Sequence, residues 1–241
     1  LDNNVLRGTP EKYQELAEAV SALSRRCWAR PREVERLVGK FTHVFLLHRL
    51  ALSAFSATYA FTSKLGHRAA RVWPGVLMEL RTAVALFPLV TADLGRPVAP
   101  LLVQTDASMT GTGAVYTRDV PQPTLAAEFM RPRRGERTAE GQWTIEHEAA
   151  LFEAPTDVAA WRVAWSRRDS RGGHINEREL RAVADAVRWA TRTAAHRRCR
   201  VLVQTDSAVT VGAIRKGRSS RPNLLRVCRR LAALTLAEKV A

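Results

Sequence analysis

Two aspartates, Asp106 and Asp206, each end a copy of the same five residues, LVQTD, at positions 102–106 and 202–206. Each copy is a short, apolar, β-branched run, which predicts a buried strand of a parallel sheet covered by helices. Chemistry collects at the carboxyl ends of strands in such sheets, so two neighbouring strands would place both carboxylates where they can hold a divalent metal ion. The alternative is that both aspartates only cap turns or helices, which is a common role for aspartate after a strand.

A third carboxylate, Glu179, lies in the clearest helix that the sequence predicts. Four apolar residues of this helix share one face: Leu180, Val183, Val187 and Ala190. With Asn176 as the N-terminal cap, Glu179 is the third helical residue and could form a capping box that needs no catalysis. It would also face the tip of the sheet if the helix packs across the first strand. The sequence therefore offers three acids, from a strand, the start of a helix and a second strand.

The elements that must position these acids follow from the pattern of residues 96–241. LLVQTDAS runs into GTGAVYTR, where Gly111 and Gly113 permit a tight turn and predict an antiparallel hairpin. Residues 119–157 are expected to form a long irregular insertion. The alternation of Trp161, Val163 and Trp165 with polar or small residues predicts a strand with one buried face. These tryptophans could stack on bases, but packing in the core is the commoner use of tryptophan. A strand and two helices are expected after residue 199.

Residues 1–95 have the periodicity of a helical bundle with no catalytic constellation of its own. One helix is predicted from Tyr13 to Leu23, another from Val34 to Phe45, and a third from Pro74 to a break at Pro88. A stretch rich in glycine and proline at 92–100 then separates this half from the mixed half. The predicted fold class is therefore α/β, with an α-helical bundle at 1–95 followed by a mixed sheet at 96–241.

Composition favours a partner that carries phosphates. The 241 residues contain 38 Lys and Arg against 23 acids, a formal net charge of +15, and 46% hydrophobic residues, which suffices for a core. Three cysteines without paired spacing indicate neither a disulfide framework nor a zinc site. We expect an intracellular, reducing compartment, with nucleus, cytoplasm and mitochondrion left open.

Two features of the sequence bear on processing and membranes. No signal peptide is visible, and a start at LDNN is what an excised or processed piece would show. Residues 41–61 are long and apolar enough to span a membrane, but Arg49 near their centre would cost roughly 2.5–3.5 kcal/mol on insertion. We therefore expect soluble helices and no membrane partner.

Basic residues crowd the C-terminal part of the chain. Eight Lys or Arg follow Asp206, against the single acid Glu238. Phosphate contacts by such side chains release counterions and dominate nucleic-acid affinity, although a run of charge can also be a solvated face. The candidate nucleic-acid-binding residues are Arg197, Arg198, Arg200, Arg215, Lys216, Arg218 and Arg221.

Three blocks of this sequence, taken together, resemble a known family. They are TDASMTGTGAV, HINERELRAVADAVRWA and VLVQTDSAVTVGAIRKG, and they occur in family order. The chain from about residue 100 to 240 resembles the ribonuclease H domain of retroelement polyproteins, closest to the DIRS-like group with tyrosine recombinases. The LVGKF segment and WPGVLMELRTAVALFPLVTADL resemble, less specifically, the thumb and connection that follow a reverse transcriptase palm.

The resemblance implies a ribonuclease H-like fold, with a mixed five-stranded sheet and four acids that bind two Mg²⁺ ions. Asp106 matches the acid of the first strand, Glu179 the helix acid, and Asp206 the acid after the fourth strand. Hydrolysis of a phosphodiester needs charge neutralised on the attacking water and on the leaving oxygen, which two metals about 3.5–4 Å apart can do. The implied activity is hydrolysis of the RNA strand of RNA:DNA hybrids.

The sequence departs from the family pattern at two places. The family's fifth strand and the last helix with the fourth acid are expected to be missing, because the sequence stops at Ala241 before either of them. The only acid after Asp206 is Glu238, which lies in a predicted helix and matches no family position. No YxDD-like pair of aspartates occurs, so the polymerase palm is absent and the chain is not a working reverse transcriptase alone.

These departures leave a second hypothesis open. A retroelement fragment could have been recruited as a non-catalytic RNA-binding or scaffolding subunit of a ribonucleoprotein, for example a mitochondrial ribosome. The partner is then structured RNA and ribonucleoprotein proteins rather than an RNA:DNA hybrid and the rest of a reverse transcriptase. Retention of three acids in register favours the nuclease. Serine or cysteine hydrolases are disfavoured, since no GxSxG motif or convincing Cys/His arrangement occurs.

Overall fold

The computed structural model describes residues 4–118, 120–121, 135–137, 143–145 and 157–240. In these residues the chain is a mixed α/β protein with seven α-helices and one mixed four-stranded sheet. The helices are α1 (Pro10–Arg26), α2 (Pro31–Phe45), α3 (Ala57–Lys64), α4 (Pro74–Leu86), α5 (Ile175–Ala190), α6 (Ala208–Lys216) and α7 (Pro222–Glu238).

The strands of the large sheet are β5 (Val98–Ala107), β6 (Gly111–Thr117), β9 (Arg162–Arg168) and β10 (Arg200–Gln204). Three short antiparallel pairs accompany it. They are β1 (Val5–Arg7) with β4 (Thr91–Asp93), β2 (Trp28–Ala29) with β3 (Ala70–Arg71), and β7 (Gly135–Arg137) with β8 (Trp143–Ile145).

The helices predicted in the first half are confirmed. Helix α1 begins after Thr9, whose side chain accepts a hydrogen bond from the backbone N–H of Lys12 at 3.3 Å. Its buried face consists of Leu16, Val20 and Leu23, at the predicted helical spacing. Helices α1, α2 and α4 all begin with a proline, which suits the first turn because its missing N–H would have no helical partner there.

The long apolar stretch at 41–61 is broken into short pieces. Helix α2 ends at Phe45, a 3₁₀ segment occupies Leu46–Ala54, and α3 then turns away. Glu79 of α4 holds this turn, because its buried carboxylate accepts hydrogen bonds from the backbone N–H groups of residues 56, 57 and 58, each at 2.9 Å. Within the described residues, no single helix has the length and apolarity to cross a membrane, and one bent pair, Pro31–Ala54 with Ala57–Lys64, passes by length and composition alone.

The two LVQTD segments lie side by side as parallel strands. β10 pairs with β5 in a register that places Leu202 beside Leu102 and Gln204 beside Gln104. β6 returns antiparallel to β5, as predicted, and β9 is antiparallel to β6, so the order is β10, β5, β6, β9. Within the described part of the chain, β10 and β9 are the two edges of this sheet.

The prediction of a regular strand with one buried face at Trp161, Val163 and Trp165 is wrong in its alternation. A register shift interrupts the pairing of β6 with β9, so that Ala114 pairs with Trp165 while Val115 pairs with Val163. Val163 is 68% exposed. Trp165 packs in the cluster between the sheet and α5, whereas Trp161 packs beside Leu102. Both tryptophans thus contact the core, as expected, but in different clusters.

Residues 119–157, predicted to be irregular, lie mostly outside the described residues. The described part includes one antiparallel pair, β7 with β8, which that prediction did not include.

The helical region and the sheet region are in direct contact through α7 and the 3₁₀ segment. The guanidinium of Arg229 in α7 donates hydrogen bonds to the carbonyl oxygens of Ser53 and Ala54, and it forms an ion pair with Glu79 at 3.0 Å. The Nε2 atom of His48 lies 2.9 Å from the Thr235 hydroxyl. The predicted boundary at 92–100 covers the end of β4, the loop after it and the start of β5.

Candidate metal centre

Asp106 lies one residue before the end of β5 and pairs with Gly113 of β6. Its side chain is exposed, and its Oδ1 atom accepts a hydrogen bond from the backbone N–H of Ala107 at 2.7 Å. It caps no helix, because the chain continues into the hairpin turn and β6.

Asp206 follows β10 and is also exposed. The helix after it, α6, is capped by Ser207, whose hydroxyl accepts a hydrogen bond from the backbone N–H of Thr210 at 3.3 Å. The alternative that Asp206 serves as a helix cap is therefore wrong.

Glu179 is the fifth residue of α5, not the third as predicted. The helix starts two residues earlier than expected because His174 is its cap, with Nδ1 accepting a hydrogen bond from the backbone N–H of Asn176 at 3.2 Å. Asn176 is therefore inside the helix, and Glu179 cannot complete a capping box, which needs the third helical position. The predicted apolar face is confirmed, since Leu180, Val183, Val187 and Ala190 are all buried.

The three acids come together at one edge of the sheet. Asp106, Glu179 and Asp206 each present one carboxylate oxygen, and these oxygens all lie within 4.8 Å of one another. Glu179 is only 7% exposed, while both aspartates reach solvent. Its Oε2 atom is buried and has no hydrogen-bond partner among the described residues. A buried, unpartnered carboxylate oxygen beside two further carboxylates is unfavourable without a compensating charge.

The surroundings of Glu179 disfavour the charged form of its carboxylate. Burial raises the pKa of Glu179 above its ordinary value, and the charges of Asp206 and Asp106 raise it further. A divalent cation would reverse both effects, because it attracts all three carboxylates. The donor set fits a hard cation such as Mg²⁺, which prefers carboxylate oxygens.

A polar network fixes the loop that leads to Glu179. The backbone N–H of Asp169 donates to the Thr110 carbonyl at 3.0 Å, which joins the end of β9 to the turn after β5. The Asp169 carboxylate accepts from Nε of Arg171 at 2.8 Å, and Nε of Arg178 donates to the Gly173 carbonyl at 3.1 Å. Sequence reasoning missed this network, although the run of arginines around the start of α5 was a visible signal.

The described cluster comprises three acids and does not include Glu238. Glu238 is the last residue of α7, and its carboxylate forms an ion pair with Nε of Arg197 at 3.1 Å. Its role is therefore to hold a cation of the loop before β10.

The predicted nucleic-acid-binding residues form two separate groups. Arg200 is the first residue of β10 and pairs with Val98, the first residue of β5, so Arg197, Arg198 and Arg200 lie at the strand ends opposite to the acids. Arg197 also donates to the Thr191 carbonyl, and Arg200 to the Leu94 carbonyl. The second group, Arg215, Lys216, Arg218 and Arg221, lies at the end of α6 and in the loop after it.

An open groove beside Asp106 was not predicted. It is lined by the turn between β5 and β6, including Ser108 and Thr110, and by Arg167 and Arg168 at the end of β9. Hydroxyl groups and guanidinium groups next to a carboxylate cluster are suited to hold a phosphate beside a bound cation. The two consecutive arginines at the end of β9 were the feature of the sequence that could have indicated this groove.

The fold and site thus define a mixed α/β protein with a candidate cation site made of three carboxylates. Comparison with protein-family models, curated proteins and solved structures gives no match to this chain.

Proposed function

We propose that this chain is a ribonuclease H-like nuclease that hydrolyses the RNA strand of RNA:DNA hybrids with Mg²⁺. The observation that carries the proposal is the convergence of Asp106, Glu179 and Asp206, each of which presents one oxygen within 4.8 Å of the others, together with the buried Oε2 of Glu179, which has no hydrogen-bond partner among the described residues. A purely structural cluster would pair such an oxygen with a donor.

The arrangement of the strands supports the ribonuclease H-like part of the proposal. In chain order the four strands of the large sheet are β5, β6, β9 and β10, so Asp106 is the second-to-last residue of the first strand and Asp206 follows the fourth. Glu179 comes from the helix between the third and fourth strands. These are the positions at which the sequence resemblance places the family's acids.

The three acids differ in their exposure to solvent, and we assign their roles accordingly. Asp106 and Asp206 present oxygens to solvent, where a phosphodiester can approach, and Glu179 completes the cluster from below. When bound at these three residues, Mg²⁺ would neutralise charge on the attacking water and on the leaving oxygen. Arg168 and the hydroxyls of Ser108 and Thr110 line the adjacent groove, where they would bind the phosphates next to the one that is cleaved.

The net charge of +15 supports nucleic acid as the substrate class, because a strongly basic protein attracts polyanions over long range. The measurement that tests the proposal is magnesium-dependent cleavage of a labelled RNA:DNA hybrid, beside double-stranded RNA of the same sequence. We expect cleavage of the RNA strand of the hybrid, and a loss of at least about 100-fold in Asp106→Asn.

The matched control is Glu35→Gln, which removes an exposed acid of α2 and should cleave like the parent protein. Cleavage that survives in Asp106→Asn would disprove the assignment of the site. If the parent protein binds structured RNA tightly and cleaves neither substrate, the nuclease proposal is wrong. The result would then support the second hypothesis, a non-catalytic RNA-binding subunit.

A further inference from the structure

A second groove lies between the helical region and the sheet region, on the side of α6. Helix α3 lines one wall with Tyr59, Thr62 and Ser63, and α6 lines the other with Val209 and Gly212. The loop after α6, which carries Arg218, closes one end. The groove is thus made jointly by the two halves of the chain, and neither half alone would form it.

The charge of this groove is positive, and its three lining cations all come from the end of α6 and the loop after it. Residues 36–78 and 207–237, which supply both walls, contain no Asp or Glu. Lys216, Arg218 and Arg221 line the groove and are exposed. Lys216 and Arg221 form no ion pair with any described residue, and the guanidinium of Arg218 lies over the ring of Tyr59, 4.4 Å from its centroid.

Gly212, in the middle of α6, leaves the wall of the groove without a side chain at that position. A glycine in the middle of a helix is unfavourable compared with alanine, because it loses more conformational freedom on folding. Packing does not explain it, since a Cβ atom added at Gly212 would have no described atom within 4 Å. The missing side chain therefore leaves open space in the wall, which a ligand can occupy.

The groove starts near the acids. Ala208 and Val209 line it, and they follow Asp206 by two and three residues. From Ala208 to Lys216 the helix rises about 12 Å. One strand of a duplex carries a phosphate about every 3.4 Å along its axis, so α6 spans three to four phosphates. A strand that reaches Asp206 can therefore continue along α6 to the basic loop.

We propose that the groove between α3 and α6 binds the sugar–phosphate backbone of one nucleic-acid strand. The inference rests on the proposed function in one respect, that this strand is continuous with the one held at the acids. Lys216, Arg218 and Arg221 contact its phosphates, and Gly212 allows its close approach to α6. Binding by backbone contacts carries no base sequence preference.

Binding is measured without metal and in the Asp106→Asn protein, so that no cleavage interferes. The probes are a fluorescently labelled RNA strand of 20 nucleotides, the DNA strand of the same sequence and their hybrid, and the readout is fluorescence anisotropy at several salt concentrations. The groove variant combines Lys216→Ser with Arg218→Ser. The control combines Arg32→Ser with Arg36→Ser, which removes the same charge from exposed positions of α2.

For the groove variant we expect a Kd about tenfold higher than that of the parent protein. The slope of log K against log salt should also fall by about 1.4 for a single strand, the value for two lost phosphate contacts. The control should change Kd by less than about twofold. Equal effects of the groove variant and the control would overturn the proposal, because the groove would then contribute only net charge. The three probes decide whether the strand is RNA, DNA or part of a hybrid.

A second variant, Gly212→Leu, fills the groove without changing its charge. We expect unchanged circular dichroism and a loss of binding similar to that of the basic variant. Parent-like binding in both variants would contradict the proposal even if the hybrid is cleaved, and the nuclease assignment would then stand alone. Conversely, if binding depends on the groove but the protein cleaves none of the substrates, the groove is confirmed as a binding site and the nuclease proposal is wrong.

Discussion

The side chains of Gln104 and Gln204 meet between the two parallel LVQTD strands, where Nε2 of Gln104 donates a hydrogen bond to Oε1 of Gln204 at 2.8 Å. The next residue, Thr105, donates its hydroxyl to the Gln204 carbonyl at 3.3 Å. These contacts fix the register of the two strands, and each acid follows its glutamine by two residues. The repeated sequence therefore delivers two carboxylates to the same edge of the sheet.

Replacing either exposed aspartate should remove cation binding without unfolding the protein. Asp106→Asn and Asp206→Asn each keep the size of the side chain and remove one charged ligand from the cluster of three. We expect the affinity for Mg²⁺, measured by isothermal titration calorimetry, to fall at least about tenfold, with circular dichroism unchanged. Glu35→Gln is the control. Unchanged affinity in both aspartate variants would exclude this cluster as the cation site.

Glu179→Gln should stabilise the protein when no divalent cation is present. The substitution removes a buried charge that two neighbouring carboxylates repel and whose Oε2 has no described hydrogen-bond partner. We expect a gain on the order of 1 kcal/mol at neutral pH, which corresponds to a rise in Tm of about 2–4 °C for a protein of this size.

The pH dependence of this gain follows from the raised pKa of Glu179. Because burial and the charges of Asp206 and Asp106 raise the pKa, the folded protein binds a proton more readily than the unfolded chain. Glu179 therefore does not destabilise the folded protein below the ordinary pKa of 4.5, where it is protonated in both states. Its destabilising effect appears as the pH rises through the raised pKa. Melting curves in EDTA should show the gain of Glu179→Gln at pH 7 and its disappearance near pH 4. A variant that is less stable than the parent protein at pH 7 would contradict this reasoning.

Cation affinity should also decrease with falling pH, and at a higher pH than for ordinary carboxylates. Protons compete with the cation for Glu179, and the raised pKa of this residue starts the competition early. Below that pKa the affinity should fall about tenfold for each pH unit, if one proton is displaced on binding. Calorimetric titration with Mg²⁺ between pH 8 and pH 5 measures the effect. A decrease that begins at no higher pH in the parent protein than in Glu179→Gln would show that Glu179 is not a ligand.

The sequence predicted the parts of the site that follow from strand pattern and from repetition. The LVQTD repeat indicated adjacent strands, and the structure pairs them in register. The helical face of α5 was predicted from its period. The position of its cap was not, because Asn176 is a stronger statistical cap than His174, yet the histidine ring accepts the hydrogen bond. A one-turn pattern cannot distinguish which of two polar residues near the start of a helix is its cap.

Features that depend on contacts between distant residues were not predictable from one sequence. Glu238 neutralises Arg197, which lies 41 positions earlier, so an acid and a cation that looked available are paired. Val163 is exposed where the register of β9 against β6 shifts. This shift depends on the partner strand, so the local sequence of β9 does not predict it. Tyr59 was assigned no role, since only the folded chain brings Arg218 over its ring.

The contact between the helical region and α6 can be tested at Gly217. This residue ends α6 with a φ of +65°, and a Cβ atom added there would lie 1.8 Å from the carbonyl oxygen of Arg49. Gly66 has a similar φ of +59° but no described atom within 4 Å of an added Cβ. The two glycines therefore share the backbone requirement, but only Gly217 is buried against the backbone of Arg49.

Gly66→Ala should cost about 1 kcal/mol, the strain of a left-handed alanine, and Gly217→Ala about 3 kcal/mol or more, because the backbone of Arg49 must also move. Unfolding in guanidinium chloride measures both free energies. Since Gly217 follows Lys216 directly, the shift should also weaken strand binding in the groove between α3 and α6. Equal costs for the two alanine variants would contradict the close approach of the Arg49 carbonyl to Gly217.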